Sequence, residues 1–450
     1  MKIKNISLMP LIASAVVLLN TSCRFEEDEL FDKSASLRVQ ATNDELKSLL
    51  VSQSSDANNG WVIQYFVAGT DEADFEGFNL FGRFYDNGKV TLASDHRYLR
   101  NGNANKYTEA TSFYKITSEE GTLLSFPIWN DVLSVFADPV DPAGAPSVLN
   151  SDGEGMNGDY NLVLHSMKKD TIVFRGQRHQ AEVRFVKCDR SWQDYITAVS
   201  DLKKKISNTS LKTYYVTDGD STRYFSNLNS GIIAYTERID NPLDKQTATC
   251  LFTPKGFRLN HVAKLGDHSF QEFTIAEDST SLVSEDGAVK VIPTWDTYMI
   301  GHTAIWKMEQ EMFNAEQKDL FDKIATEIKK FNSSWSLESI GIGKSSGSNS
   351  VLGLVLTFYT NAAKTKTNNA GVSLTMTKAD YGQMTISYTS EEKVDKNMES
   401  IVKKAPDVET YARLFANLLN GIYNMTPNDY FLPTGGKYDA INGGVSFVLK

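Results

Sequence analysis

Apolar residues return every three or four positions in four stretches of the chain, and every second position through most of the remainder. The first stretch, Ser34–Gln53, carries Leu46, Leu49 and Leu50. In the second, Trp192, Tyr195, Ile196, Val199, Leu202 and Ile206 fall on one face. The third, Glu311–Phe331, runs through Phe313, Leu320, Phe321, Ile324 and Ile328. The fourth starts at Asp407 behind Pro406 and carries Tyr411, Phe415, Leu418, Leu419 and Ile422. A repeat near 3.6 lines residues up along one side of a helix, so each stretch predicts an amphipathic helix. Proline just before the last one suits a helix start.

Elsewhere the period is two, as strands require. Asp86-Asn87-Gly88 predicts a tight hairpin between Phe78–Tyr85 and Lys89–Ala93, because Asn-Gly accepts the positive φ of a primed turn. Further strands are expected at Trp61–Val67, Ser112–Thr117, Thr122–Phe126, Tyr160–His165, Thr171–Arg175 and Glu182–Lys187. Others follow at Gly231–Arg238, Thr247–Thr253, Gly256–Leu259, Phe270–Ile275 and Val289–Ile292. Val372, Leu374 and Met376 mark one strand, and Met384, Ile386 and Tyr388 its neighbour across the turn Lys378–Gly382. The expected fold is α+β and β-dominated: antiparallel meanders or partly closed barrels, each covered by an amphipathic helix. A helix-then-strands layout begins near residues 34, 191 and 311. It predicts an N-terminal domain over 34–190, a middle unit over 191–310 and a C-terminal unit over 311–450, the last two separate or fused.

The N-terminus carries an address. Lys2 and Lys4 precede an apolar run from Leu8 to Leu19, broken by Pro10. That run is too short for a membrane span, which needs about 20 residues, so 1–22 is expected to be a signal peptide. Thr21 and Ser22 then lead to Cys23, the residue a lipoprotein pathway acylates. Leu19 lies four residues before the cysteine instead of the usual three, but Ser22 resembles the lipobox of Bacteroidetes lipoproteins. Residues 23–33 would be a lipidated tether holding the protein to a membrane. Its run Arg24-Phe25-Glu26-Glu27-Asp28-Glu29 resembles the acidic signal that sends such lipoproteins to the outer face of the outer membrane. A periplasm-facing anchor is the alternative.

Loss of Lys2 and Lys4 takes the formal charge from −10 to −12, which disfavours nucleic acid. Lys203-Lys204-Lys205 reads as the solvated side of the second helix. Cys188 and Cys250 could pair in an oxidising compartment or stay as buried thiols.

Catalytic motifs fare poorly. Gly343-Lys344-Ser345-Ser346-Gly347 spells G-x-S-x-G, but β-branched and aromatic residues follow where a nucleophile elbow needs a helix. Read as a phosphate loop, it would place Glu338 at the first glycine. His96, His165, His179, His261, His268 and His302 form no metal-binding spacing. The loop holding Asp152, Glu154, Asn157 and Asp159 alternates oxygen ligands with glycines and is the one candidate for Ca²⁺, although it lacks the EF-hand order. Asp71, Glu72, Asp74 and Glu76 read as solvated surface. Trp61, Trp192 and Trp335 sit in core patterns. Trp129, Trp295 and Trp306 lie in irregular stretches and are the candidates for ligand contact.

Four segments together resemble a known family: Phe31-Asp32-Lys33-Ser34-Ala35-Ser36, Asn59-Gly60-Trp61-Val62-Ile63-Gln64-Tyr65, Gly77-Phe78-Asn79-Leu80-Phe81 and Gly158-Asp159-Tyr160-Asn161-Leu162-Val163-Leu164. Behind a lipidated cysteine, their order resembles the Bacteroidetes lipoproteins catalogued as domain of unknown function 4302, over residues 23 to 190. The resemblance implies an exported lipoprotein with no catalytic residues to carry over, similar to accessory proteins of outer-membrane nutrient uptake. The expectation is a non-catalytic surface protein that binds a glycan, a peptide or a partner protein. A hydrolase using a carboxylate pair and an envelope scaffold are the alternatives.

Overall fold

A computed structural model describes residues 34–55, 59–67, 75–119, 121–138, 156–206, 211, 213–237 and 246–450. Residues 1–33, where the signal peptide, Cys23 and its tether are expected, lie outside them, as do Asp71, Glu72, Asp74, Asp152 and Glu154.

Helix α1, Ala35–Ser52, begins where the Ser34 hydroxyl accepts the Leu37 N–H, and it buries Leu46 and Leu50. Nine strands follow: β1 Trp61–Tyr65, β2 Phe78–Phe84, β3 Lys89–Ser94, β4 Thr108–Phe113, β5 Lys115–Ser118, β6 Thr122–Ser125, β7 Asn161–Lys168, β8 Thr171–Gly176 and β9 Glu182–Lys187. They form one antiparallel sheet in the order β4-β3-β2-β1-β9-β8-β7-β6-β5. The edge strands β4 and β5 are separated only by Tyr114, so the sheet must curl until its two edges meet at that residue. The single strand expected over Ser112–Thr117 is therefore two. Tyr114 makes the corner, giving its N–H to the Gly88 carbonyl and its ring to Phe84.

Every residue of β1 is buried, because both faces of the sheet are covered. Trp61, Ile63 and Tyr65 face the enclosed core, while Val62 joins Phe81, Trp192 and Tyr195 outside it. Those two aromatics belong to α2, Trp192–Ile206, whose far end puts Ile206 into the next core. One amphipathic helix thus packs on two units.

That second unit is a closed barrel of β10 Thr213–Thr217, β11 Thr222–Ser226, β12 Ile232–Thr236, β13 Gln246–Phe252, β14 Gly256–Leu265, β15 His268–Ile275, β16 Leu282–Ser284 and β17 Lys290–Pro293. Successive strands pair, and β17 returns to β10 through Tyr214↔Pro293. Closure gives every strand a neighbour on both sides over at least part of its length, which shortens the open edges that invite aggregation. Phe225, Phe257, Phe270 and Phe273 fill much of its interior.

The remaining elements share one core. They are α3 Trp295–Gly301, β18 Trp306–Lys307, α4 Ala315–Phe331, β19 Ser336–Lys344, β20 Leu352–Tyr359, β21 Thr367–Ser373, β22 Thr375–Lys378, β23 Gln383–Ser387, α5 Lys396–Val402, α6 Asp407–Leu418, β24 Gly421–Pro427, β25 Gly436–Gly443 and β26 Phe447–Leu449. Strands β18–β21 form one antiparallel sheet and β22–β26 another. The expected strand through Val372, Leu374 and Met376 is split at Leu374 between these two sheets. Helix α4 starts four residues later than expected, at a capping box between Asn314 and Gln317. Ile422, placed on the last helix by its spacing, lies on β24. The short helices α3 and α5 were not expected.

Polar contacts lock the units together. Gly77 gives its N–H to the Cys250 carbonyl at 3.1 Å, joining the curled sheet to the barrel. Arg184 pairs with Glu272, and the buried Arg258 pairs with both Glu182 and Glu272.

Candidate functional site

The three candidate tryptophans part company. Trp295 and Trp306 are buried at 3% and 5% exposure, and the expectation that they contact a ligand is overturned. Trp295 opens α3 and gives its indole N–H to Tyr381, while Trp306 stacks on His302 at 3.6 Å. Both side chains belong to the C-terminal core. Trp129 is 47% exposed. Its Nε1–H donates to Asp131 at 2.7 Å, and the Arg100 guanidinium lies 5.3 Å from the ring centre. Arg100 is itself held by Asp138 at 2.5 Å. Beside it, the buried Asn130 donates to the Ala110 carbonyl and the Ser112 hydroxyl and accepts from the Val132 N–H, which pins the loop. The indole is an ordered platform on the surface.

The proposed calcium loop loses a ligand. Asp159 is 4% exposed, and its carboxylate accepts N–H groups from Arg178, His179 and Ala181 across the β8–β9 turn. These bonds occupy the oxygens that a cation would need. Asn157 sits at φ 55°, a turn conformation. Among the described residues, no group of three or more His, Cys, Asp or Glu is arranged to hold a metal. Ser345, the G-x-S-x-G serine, is buried between two strands and accepts the Val351 N–H. Cys188 and Cys250 are both buried free thiols. Burial raises both pKa values, that of Cys250 to about 12, so neither is a ready nucleophile.

A pocket of about 260 Å³ opens where α2 crosses the edge of β2 and β3 and meets the barrel. This is just under the roughly 300–1,000 Å³ usual for ligand sites. Glu76, Asn79, Asp95, Arg97, Asn105 and Lys203 supply its polar groups, and Phe252 and Tyr195 its apolar walls. Glu76 takes Arg97 and Lys203 at 3.4 Å each. Lys203, expected on a solvated helix face, instead reaches into the pocket, 5.3 Å above the Phe252 ring. Asp95 has its carboxyl pKa raised by desolvation, with the charge of Glu76 adding to it. The buried His96 accepts the Tyr98 N–H on Nδ1 and so donates from Nε2 to the Val132 carbonyl. Burial lowers its pKa to about 4, keeping it neutral.

The β3–β4 connection ties the two features together. Asp95, His96, Arg97 and Asn105 line the pocket, and Arg100 on the same connection covers one face of Trp129. The sequence singles out Trp129 and misses the pocket. The available signal was helical spacing, since Lys203 falls seven residues after Ile196 and four after Val199 on the stripe that also lines it.

An antiparallel curled sheet, a closed barrel and an α+β unit, joined by shared helices and ion pairs, define a β-dominated α+β protein. The chain belongs to the family described as Domain of unknown function (DUF4302), which matches residues 27–277, more than half of its length. That match extends past the curled sheet through β15 of the barrel. No curated protein matches the chain.

Proposed function

We propose that this protein is a lipid-anchored envelope protein, held through Cys23 at the surface of the outer membrane, that binds a glycan without turning it over. The observation that carries this reading is Trp129, an exposed indole fixed by Asp131 and by Arg100, whose β3–β4 connection also lines a polar pocket. The C–H face of a sugar ring meets the negative face of an aromatic ring favourably. Arg97 and Lys203 can donate to ring hydroxyls, and Asp95 and Glu76 can accept from them. An outer-membrane uptake complex is the proposed neighbour. The test is a glycan array probed with the soluble 24–450 form and its Trp129→Ala and Lys203→Ala variants. Binding lost in both variants, with melting temperature kept, supports the reading; no binding by the parent refutes it.

A second reading, hydrolysis of a surface polymer, draws on one observation. Glu76 and Asp95 share the pocket, and desolvation pushes Asp95 towards its protonated form, as a general acid would need. Polymer turnover that disappears in Asp95→Asn would establish it over the non-catalytic reading.

A further inference from the structure

The barrel wall is split on one side. The β13–β14 ladder ends at Cys250↔Leu259, yet β13 extends back to Gln246 and β14 runs on to Leu265. On the other edge of β14 the register jumps between Arg258↔Glu272 and Ala263↔Phe270, so β14 advances five residues against two of β15. Such a bulge bends the strand away from its neighbour. At the head of the split, the Asn260 side chain, and not a backbone carbonyl, accepts the Thr249 N–H at 3.1 Å. A side chain spans more distance than a carbonyl, so the two backbones diverge there.

A cavity of about 340 Å³ lies behind the split. Phe225, Tyr235, Ala248 and Leu259 line its depth, and all four are buried. Arg223, His261 and Lys264 supply cationic or titratable groups to the rim. Arg223 is two residues before the inward-facing Phe225 and so points to the same side of β11. Its guanidinium lies 5.1 Å from the centre of the Tyr235 ring. Glu237 pairs with it at 2.9 Å, but that carboxylate is 63% exposed. Solvent screens a pair this exposed, so a better-placed anion can join or replace it.

We propose that this split barrel is a second binding site, for a monocarboxylate with a short apolar tail. The carboxylate takes the Arg223 fork, with Lys264 near it, and the tail lies on Phe225, Tyr235 and Leu259. At roughly 30 Å³ for each water-sized atom, the cavity admits on the order of ten non-hydrogen atoms. Octanoate, with its eight carbons and two oxygens, is about that size.

Titration calorimetry of the soluble 24–450 form with octanoate, octanol and octylammonium tests it. One saturable site for octanoate is expected, with octanol at least about tenfold weaker because it cannot engage the fork. Arg223→Met should weaken octanoate by a similar factor, and Arg223→Glu should reverse the preference towards octylammonium. That reversal would not follow from a loss of folding. Ala248→Phe, which fills the cavity, should abolish binding of every probe. The proposal is overturned if octanoate gives no saturable heat, or if its affinity is unchanged in folded Arg223→Glu. It is independent of the glycan reading, since Trp129→Ala should leave octanoate binding intact.

Discussion

Replacing Lys378 by methionine should loosen the joint between the barrel and the C-terminal unit. The ammonium of Lys378 lies 2.8 Å from the Asp296 carboxylate and 2.6 Å from the Tyr215 hydroxyl. Tyr215 is on β10 of the barrel, Asp296 on α3 and Lys378 at the end of β22, so one cation joins three elements. Asp296 is fully buried. Removing one partner of a buried pair costs about 3–5 kcal/mol, because the other charge is left uncompensated. Two facts reduce this here. The Lys378 side chain is 39% exposed, so solvent screens part of the interaction. Asp296 also keeps the Thr297 N–H at 2.8 Å and the Gly382 N–H at 3.4 Å. The expected loss is therefore about 2 kcal/mol.

Urea unfolding followed by tryptophan fluorescence measures this loss, taken on the first transition if the units melt separately. Asp296→Leu combined with Lys378→Met removes both charges and should lose less than the two single changes added together. Burial lowers the Lys378 pKa, but hydrogen bonds to Asp296 and Tyr215 outweigh it and the net direction is up. A raised lysine contributes its full stabilisation below its ordinary value of 10.5 and loses it as pH climbs through the higher folded value. The difference between parent and Lys378→Met should thus narrow only in alkali. A loss below about 0.5 kcal/mol at neutral pH, or strict additivity in the cycle, would refute the clamp.

Asp159→Ala should destabilise by roughly 2–4 kcal/mol in the same assay, since three backbone N–H groups at the β8–β9 turn lose a charged acceptor. Gly176→Ala should be comparably harmful, because an added Cβ would meet Asp159 Oδ2 at 1.8 Å; a melting point equal to the parent's would contradict that packing. His96, folded with a pKa near 4 against an ordinary 6.5, supports stability fully above pH 6.5 and withdraws it as pH falls towards 4. Holding the imidazole neutral to that extent amounts to roughly 3 kcal/mol. His96→Gln should flatten that acid limb, and an unchanged limb would assign it elsewhere. Cys23→Ser should abolish fatty-acid labelling and release the protein from membranes; retention with labelling intact would remove the anchor.

What the sequence made legible was whatever local spacing determines. The stripe Trp192, Tyr195, Val199 and Ile206 predicts α2 because each turn repeats the same demand for burial, and the helix runs over those residues. The hairpin at Asn87-Gly88 is equally local, but only Gly88 takes a positive φ, 79°, so a three-residue loop closed by Tyr85 and Lys89 replaces the primed Asn-Gly turn that the sequence predicts. Tyr114 shows where this ends. Nothing near it announces a corner, because the break follows from β4 and β5 pairing with different strands at opposite edges of the sheet. Trp295 and Trp306 mislead for a related reason: irregular neighbours describe the path of the backbone, whereas burial depends on what distant segments bring to the ring. The pocket is the extreme case. Lys203 and Glu76 are 127 residues apart, and no window along the chain contains both. The trace they left was a lysine on a stripe otherwise occupied by Ile196 and Val199. Its long apolar stem can lie along a buried face only if the ammonium has somewhere polar to end. A cation on the inward side of an amphipathic helix therefore implies an anion or a pocket before any fold is known, and here Lys203 finds the half-buried Glu76 within one.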